Sequence, residues 1–75
     1  MTPTALIADD EPLLREHLAS HLARAWAELQ LVGQARNGRE AVAMFEELQP
    51  QVVFLDVHMP GINGIEAARA IGRRA

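Results

Sequence analysis

The 75-residue chain contains no cysteine, no lysine and no tyrosine. Without cysteine it can form neither a disulfide nor a thiolate zinc site. All seven basic residues are arginines, and against ten acids they leave a net charge of −3. That balance gives no general attraction to nucleic acid or to an anionic membrane surface. Hydroxyl side chains are equally scarce, being Thr2, Thr4 and Ser20 alone. No apolar run approaches the roughly 20 residues of a membrane span, and Met1-Thr2-Pro3-Thr4 has neither the basic start nor the apolar core of a signal peptide. These absences are those of a cytoplasmic protein.

What is present is a small domain, 49% apolar and 23% charged. A chain this short buries only about 60% of the surface it exposes when unfolded, so its core is marginal. Small scaffolds add disulfides, a metal or a partner subunit. With disulfides excluded, a metal, a partner or a missing part of the domain is left.

The pattern reads as three strand-then-helix units. Ala5–Ala8 is a short apolar run that suits a strand buried on both faces. It ends at Asp9-Asp10, and Asp10 or Glu11 can cap a helix whose first turn holds Pro12. Leu14, Leu18, Leu22, Trp26 and Leu29, with Ala25, recur at helical spacing as one apolar stripe. Leu31–Ala35 is a weaker strand, stopped by the turn signal Asn37-Gly38. A helix over Arg39–Leu48 carries Ala41, Val42, Phe45 and Leu48 on one face, and Pro50 ends it. Val52–Leu55 is the clearest strand, and it runs into Asp56. His58–Gly64 is dense in turn formers. A last helix, about Ile65 to Arg73, turns Ile65, Ala68 and Ile71 inward; Trp26 and Phe45 are core candidates. Strands alternating with helices predict an α/β fold with a parallel sheet and right-handed crossovers.

Aspartate occurs only as Asp9, Asp10 and Asp56, each directly after an apolar strand. Ligands of open α/β sheets bind at the carboxyl ends of the strands. If the first and third strands are neighbours, all three aspartates converge there. Taken singly, Asp9-Asp10 reads as helix capping and Asp56 as a solvated strand end; their shared placement favours a site. Hard oxygen ligands without thiols or paired histidines favour Mg²⁺. A carboxylate beside such a cation can also be a nucleophile, as in aspartyl-phosphate chemistry.

Three runs carry a family resemblance: Leu6-Ile7-Ala8-Asp9-Asp10-Glu11-Pro12, Asn37-Gly38-Arg39-Glu40-Ala41, and Val53-Phe54-Leu55-Asp56-Val57-His58-Met59-Pro60-Gly61-Ile62-Asn63-Gly64. Together they resemble the receiver domain of two-component response regulators over nearly the whole chain. The resemblance implies a flavodoxin-like three-layer fold and a signalling module rather than an enzyme. It makes Asp56 the phosphoacceptor, Asp10 a direct Mg²⁺ ligand and Asp9 a supporting one. The main-chain carbonyl of His58 would be a further ligand. The implied partners are a histidine kinase, which presents a phosphohistidine, and an output domain or other receiver domains. The Asp9-Asp10-Glu11-Pro12 start is faintly similar to regulators with a LytTR-type DNA-binding output.

Receivers of this kind continue through two more strands and helices, in the order 2-1-3-4-5. The fourth strand ends in Ser or Thr and the fifth carries Lys, and this sequence has no lysine and no hydroxyl side chain beyond Ser20. The expectation is a receiver spanning residues 1–75, truncated to three βα units in the order 2-1-3, with its metal site but without a working switch. Val52–Leu55 would then be an unpaired apolar edge, and the first helix would lose its fifth-helix neighbour, which predicts self-association through that edge. The alternative is a naturally short receiver remnant acting as a non-switching interaction module. An aspartate-nucleophile phosphatase of another α/β family is disfavoured, because His58 stands where a second acid is wanted. His17 and His21, four apart, have a metal-binding spacing but no evident third ligand, which favours a packing or surface role. Arg73-Arg74 suits a helix end.

Overall fold

The computed structural model describes residues 2–56 and 64–74. The elements alternate as β1 (Thr4–Ala8), α1 (Pro12–Ala25), β2 (Gln30–Ala35), α2 (Gly38–Leu48), β3 (Val52–Leu55) and α3 (Gly64–Arg74). The strands form one sheet in the order β2-β1-β3, and both pairings are parallel. The expected α/β architecture and strand order are therefore those of the structure.

β1 is central because it can be covered on both faces: Ala5, Leu6, Ile7 and Ala8 are all essentially fully buried. Its side chains alternate between the two faces. Leu6 packs with Phe45 of α2 and Ile71 of α3, flanked by Val42, Val53 and Leu55. Ala8 packs with Ala35 and Ala41. Ile7 and Phe54 point the other way, into a groove that Leu14 and Leu18 of α1 also line. Helices thus lie on both sides of the sheet, α2 and α3 on one face and α1 on the other.

α2 forms where local signals agree. Asn37 is its N-cap, with Oδ1 accepting from the Glu40 N–H at 2.9 Å, while Glu40 Oε1 accepts from the Arg36 N–H at 2.8 Å. This is a capping arrangement in which two otherwise orphaned donors are satisfied by side chains. Gln49 closes the helix in the left-handed region with φ 49°, and Pro50 follows. Ala41 and Phe45 are buried as expected, while Leu48 at the helix end is 40% exposed.

α1 departs from its expected form. It stops at Ala25, with the Trp26 N–H donating to the Leu22 carbonyl at 2.8 Å, so Leu29 lies outside the helix. Glu11, not Asp10, is its N-cap residue, and it makes no side-chain cap bond. None of its residues is buried, and Trp26, expected in the core, is 41% exposed. Among the described residues no element covers the outer side of α1, so only the inner edge of its apolar stripe finds cover.

α3 is rotated from its expected orientation. Ala67 and Ile71 face inward, whereas Ile65 is 54% exposed and Ala68 is exposed. At about 100° per residue, Ile65 and Ile71 lie about 120° apart on the helix, too far to share a narrow contact, while Ala67 and Ile71 are about 40° apart. The small Ala67 and branched Ile71 fit against α2 and β1, and Ile65 is left outside. No helix among the described residues is long and apolar enough to cross a membrane.

Candidate metal and phosphoryl site

The strand order brings the three aspartates together. Asp9 follows β1 and Asp56 follows the adjacent β3, both at the carboxyl edge of the sheet, with Asp10 beside them. One carboxylate oxygen from each of Asp9, Asp10 and Asp56 lies within 4.8 Å of the others. Asp9 and Asp56 are half-buried and Asp10 is exposed. Among the described residues this is the only group of three or more His, Asp or Glu side chains close enough to share an ion.

The main chain fixes the two half-buried acids. The Asp9 N–H donates to the Ala35 carbonyl at 3.1 Å and the Asp56 N–H to the Ala8 carbonyl at 2.9 Å, each prolonging a β ladder by one step. The Asp9 carbonyl accepts from Arg15 Nη1 at 2.7 Å, and Asp9 Oδ1 accepts from the Glu11 N–H at 2.9 Å. Asp9 is therefore held from β2, from α1 and from its own turn, and among the described residues its second carboxylate oxygen accepts no hydrogen bond. An open groove of about 430 Å³ runs from Asp9 and Asp56 along Phe54 to Leu14 and Leu18.

Three carboxylates so close repel one another, and a hard divalent cation relieves that repulsion. The donors are all oxygens, as such an ion prefers. Asp56 also lines the open groove, together with Asp9 and Phe54.

His58, Gly61 and the rest of the 57–63 segment lie outside the described residues. His17 and His21 are both exposed and line a shallow groove on α1 with Leu14 and Leu18, and no third ligand joins them among the described residues. Two features had not been anticipated from the sequence. Arg15 on Asp9 carries no sequence signal, since an arginine in the first turns of an amphipathic helix reads as solvated surface. The Arg36–Glu40 pair, closed at 2.7 Å, could have been found from Glu40 standing three residues after Asn37. Arg36 lowers the Glu40 carboxyl to about 2, through side-chain and then backbone hydrogen bonds.

Comparison with known proteins agrees with this geometry. The family model of the response regulator receiver domain matches residues 5–75. An uncharacterized response regulatory protein of Vibrio cholerae is 53% identical over 70 residues, covering 93% of this chain and 27% of that protein. The sensory transduction protein LytT of Oceanobacillus iheyensis is 46% identical over 66 residues, covering 88% of this chain and 26% of that protein. The crystal structure of the response regulator domain of Thermotoga maritima CheB superposes with a TM-score of 0.90 at 35% identity, covering 100% of this chain and 55% of that one. A LuxR-family two-component response regulator from an Aurantimonas species gives 0.91 at 31% identity, covering 99% and 52%. The chain thus spans about a quarter of these curated relatives and about half of these structures. By sequence and by fold, the chain belongs to the response regulator receiver domain family.

Proposed function

We propose that this receiver domain is a phosphoacceptor module in which Asp56 takes a phosphoryl group from the phosphohistidine of a partner kinase. The observation that carries this reading is the convergence of Asp9, Asp10 and Asp56 oxygens within 4.8 Å at the carboxyl edge of adjacent parallel strands. A carboxylate oxygen of Asp56 attacks phosphorus in line, the P–N bond breaks, and its electron pair leaves on the imidazole nitrogen. Asp9 and Asp10, with Asp56 and the His58 main-chain carbonyl, are proposed to hold Mg²⁺, which when bound offsets the charge gathering on the phosphoryl oxygens. The domain accepts one phosphoryl group and signals in the cytoplasm to an output domain or another receiver; it is not a turnover enzyme.

We further propose that residues 1–75 are the first three βα units of a five-unit domain. The coverage of 55% and 52% of the two receiver structures supports this. These 75 residues contain no lysine and no hydroxyl beyond Ser20, so the groups that would contact the phosphoryl oxygens from later strands are not among them. The three units alone are therefore proposed to hold the metal without switching.

The test is incubation with Mg²⁺ and a small phosphodonor, followed by intact mass. A gain of one phosphate on a lengthened chain, abolished by Asp56→Asn, supports the reading; labelling that persists in Asp56→Asn removes Asp56 from the role. Absence of label on residues 1–75 alone would show that the later strands are needed.

A second reading, a non-switching interaction module that pairs with a second copy, is favoured by one observation. Among the described residues β3 is an apolar edge strand, Val52-Val53-Phe54-Leu55, paired only to β1. Unpaired edges of this kind template association. Light scattering over a concentration series decides it, and a monomer at high concentration counts against it.

A further inference from the structure

Among the described residues, Arg15 is the one side chain of α1 that reaches the main chain of the acidic turn. Its Nη1 donates to the Asp9 carbonyl at 2.7 Å across six residues, and the bond is partly buried. The other restraints on Asp9 are main-chain donors or acceptors: the Ala35 carbonyl on its N–H and the Glu11 N–H on its Oδ1. The positive charge of Arg15 also reaches Glu40, where it adds to the lowering of that carboxyl. The guanidinium is thus held at the carboxyl edge of the sheet, beside the acidic turn.

We propose that Arg15 is a positioning residue for the cation site: it pins the Asp9 carbonyl so that the Asp9 and Asp10 carboxylates stay aimed at Asp56. The inference rests on the Mg²⁺ reading of Asp9, Asp10 and Asp56 given above. Two physical effects of Arg15 oppose each other, which makes the sign informative. A fixed guanidinium preorganises the turn, and supports of this kind around a metal site are worth about 10- to 100-fold in affinity. Its charge alone would repel the incoming cation and weaken binding. The bond is short, charge-assisted and made to a main-chain acceptor that cannot rotate away from the chain, so geometry outweighs repulsion. A lysine keeps the charge and one donor but lacks the rigid fork.

The experiment titrates the full chain with Mg²⁺ by calorimetry and with Mn²⁺ by electron paramagnetic resonance. It compares the wild type with Arg15→Met, Arg15→Lys and, as a charge control far along α1, Arg24→Met. Apo melting temperatures are recorded alongside. The expected order is wild type, then Arg15→Lys about threefold weaker, then Arg15→Met about tenfold weaker for both ions, with Arg24→Met within twofold of wild type. Melting temperatures of the apo variants that stay close together separate positioning from general destabilisation. Arg15→Met binding as tightly as wild type, or more tightly, overturns the proposal. If Arg15→Met does not fold, Arg15→Lys decides, and equality with wild type overturns it. A wild type that binds neither ion, or binds them as Asp56→Asn does, instead overturns the site reading beneath it.

Discussion

The main-chain N–H of Asp56 donates to the carbonyl of Ala8 at 2.9 Å. This bond extends the β1–β3 ladder beyond its last pair, Ala8 with Leu55, and sets Asp56 beside Asp9. A slip of one residue in β3 would turn Val53 and Leu55 out of the core along with it. The packing of Val53 and Leu55 against Leu6, Phe45 and Ile71 therefore holds the acid in position.

Carboxylates within 4.8 Å of one another repel by roughly 1 kcal/mol per pair even at the dielectric of water. Asp10→Asn removes part of that repulsion from an exposed residue. The variant should melt several degrees above wild type in chelator. Mg²⁺ at about 100 times its dissociation constant should stabilise the wild type by about 2.7 kcal/mol and the variant by much less. Thermal melts with and without Mg²⁺ measure both; equal shifts in the two proteins would remove Asp10 from the site.

Glu40, with its carboxyl lowered to about 2 by Arg36, links folding to pH. A carboxylate whose folded value lies below its unfolded one stabilises the fold above the unfolded value, and that contribution fades as pH falls towards the folded one. Wild type should exceed Glu40→Gln in stability at pH 6. The gap should shrink between about pH 4.5 and 2. Urea unfolding at intervals across that range checks it, and a gap independent of pH would place the value of Glu40 outside its ionised form.

Phe45 is 6% exposed and Trp26 is 41% exposed. Removing a buried aromatic costs about 3–5 kcal/mol, which a domain of this size can hardly sustain. Phe45→Ala should be largely unfolded. Trp26→Ala should lose about 1 kcal/mol or less. Circular dichroism melts of the two variants distinguish them, and a large loss at Trp26 would mean that something covers the outer side of α1 in solution.

Gly33 lies on β2 under α2. A Cβ there would meet Leu48 Cδ1 at 3.1 Å, Leu6 Cδ1 at 3.3 Å and Met44 Sδ at 3.4 Å. Leu48 is exposed enough to swing aside, but Leu6 is fully buried. Alanine offsets part of this crowding through its better strand preference, about 0.5–1 kcal/mol. Gly33→Ala should fall within about 1 kcal/mol of wild type, and Gly33→Val should lose about 2 kcal/mol. Valine tolerated as well as alanine would show a looser fit between β2 and α2.

Several elements are legible from local residue pattern alone. β1 and β3 stand out as apolar runs, and β1, covered on both faces, needs no polar alternation. Phe45 and Ala41 fell on one face of α2, because helical spacing and the Asn37 cap agreed. The Asp-containing runs resemble the receiver family without reference to any contact. Where local signal was ambiguous the outcome differed, as at Ile65 and Ala68, since a short helix with apolar residues on two sides does not say which side is covered.

By itself the sequence determined the alternation of strands and helices, the placement of every aspartate after a strand, and the lack of lysine and late hydroxyls. Those are properties of residue type and spacing, which no packing can alter. The tertiary structure alone decided that β1 sits between β2 and β3, that Asp56 therefore meets Asp9 and Asp10, that Arg15 closes on the Asp9 carbonyl, and that Trp26 stays outside. Each of these depends on which surfaces find a partner, and that is settled by contacts between residues far apart in the chain.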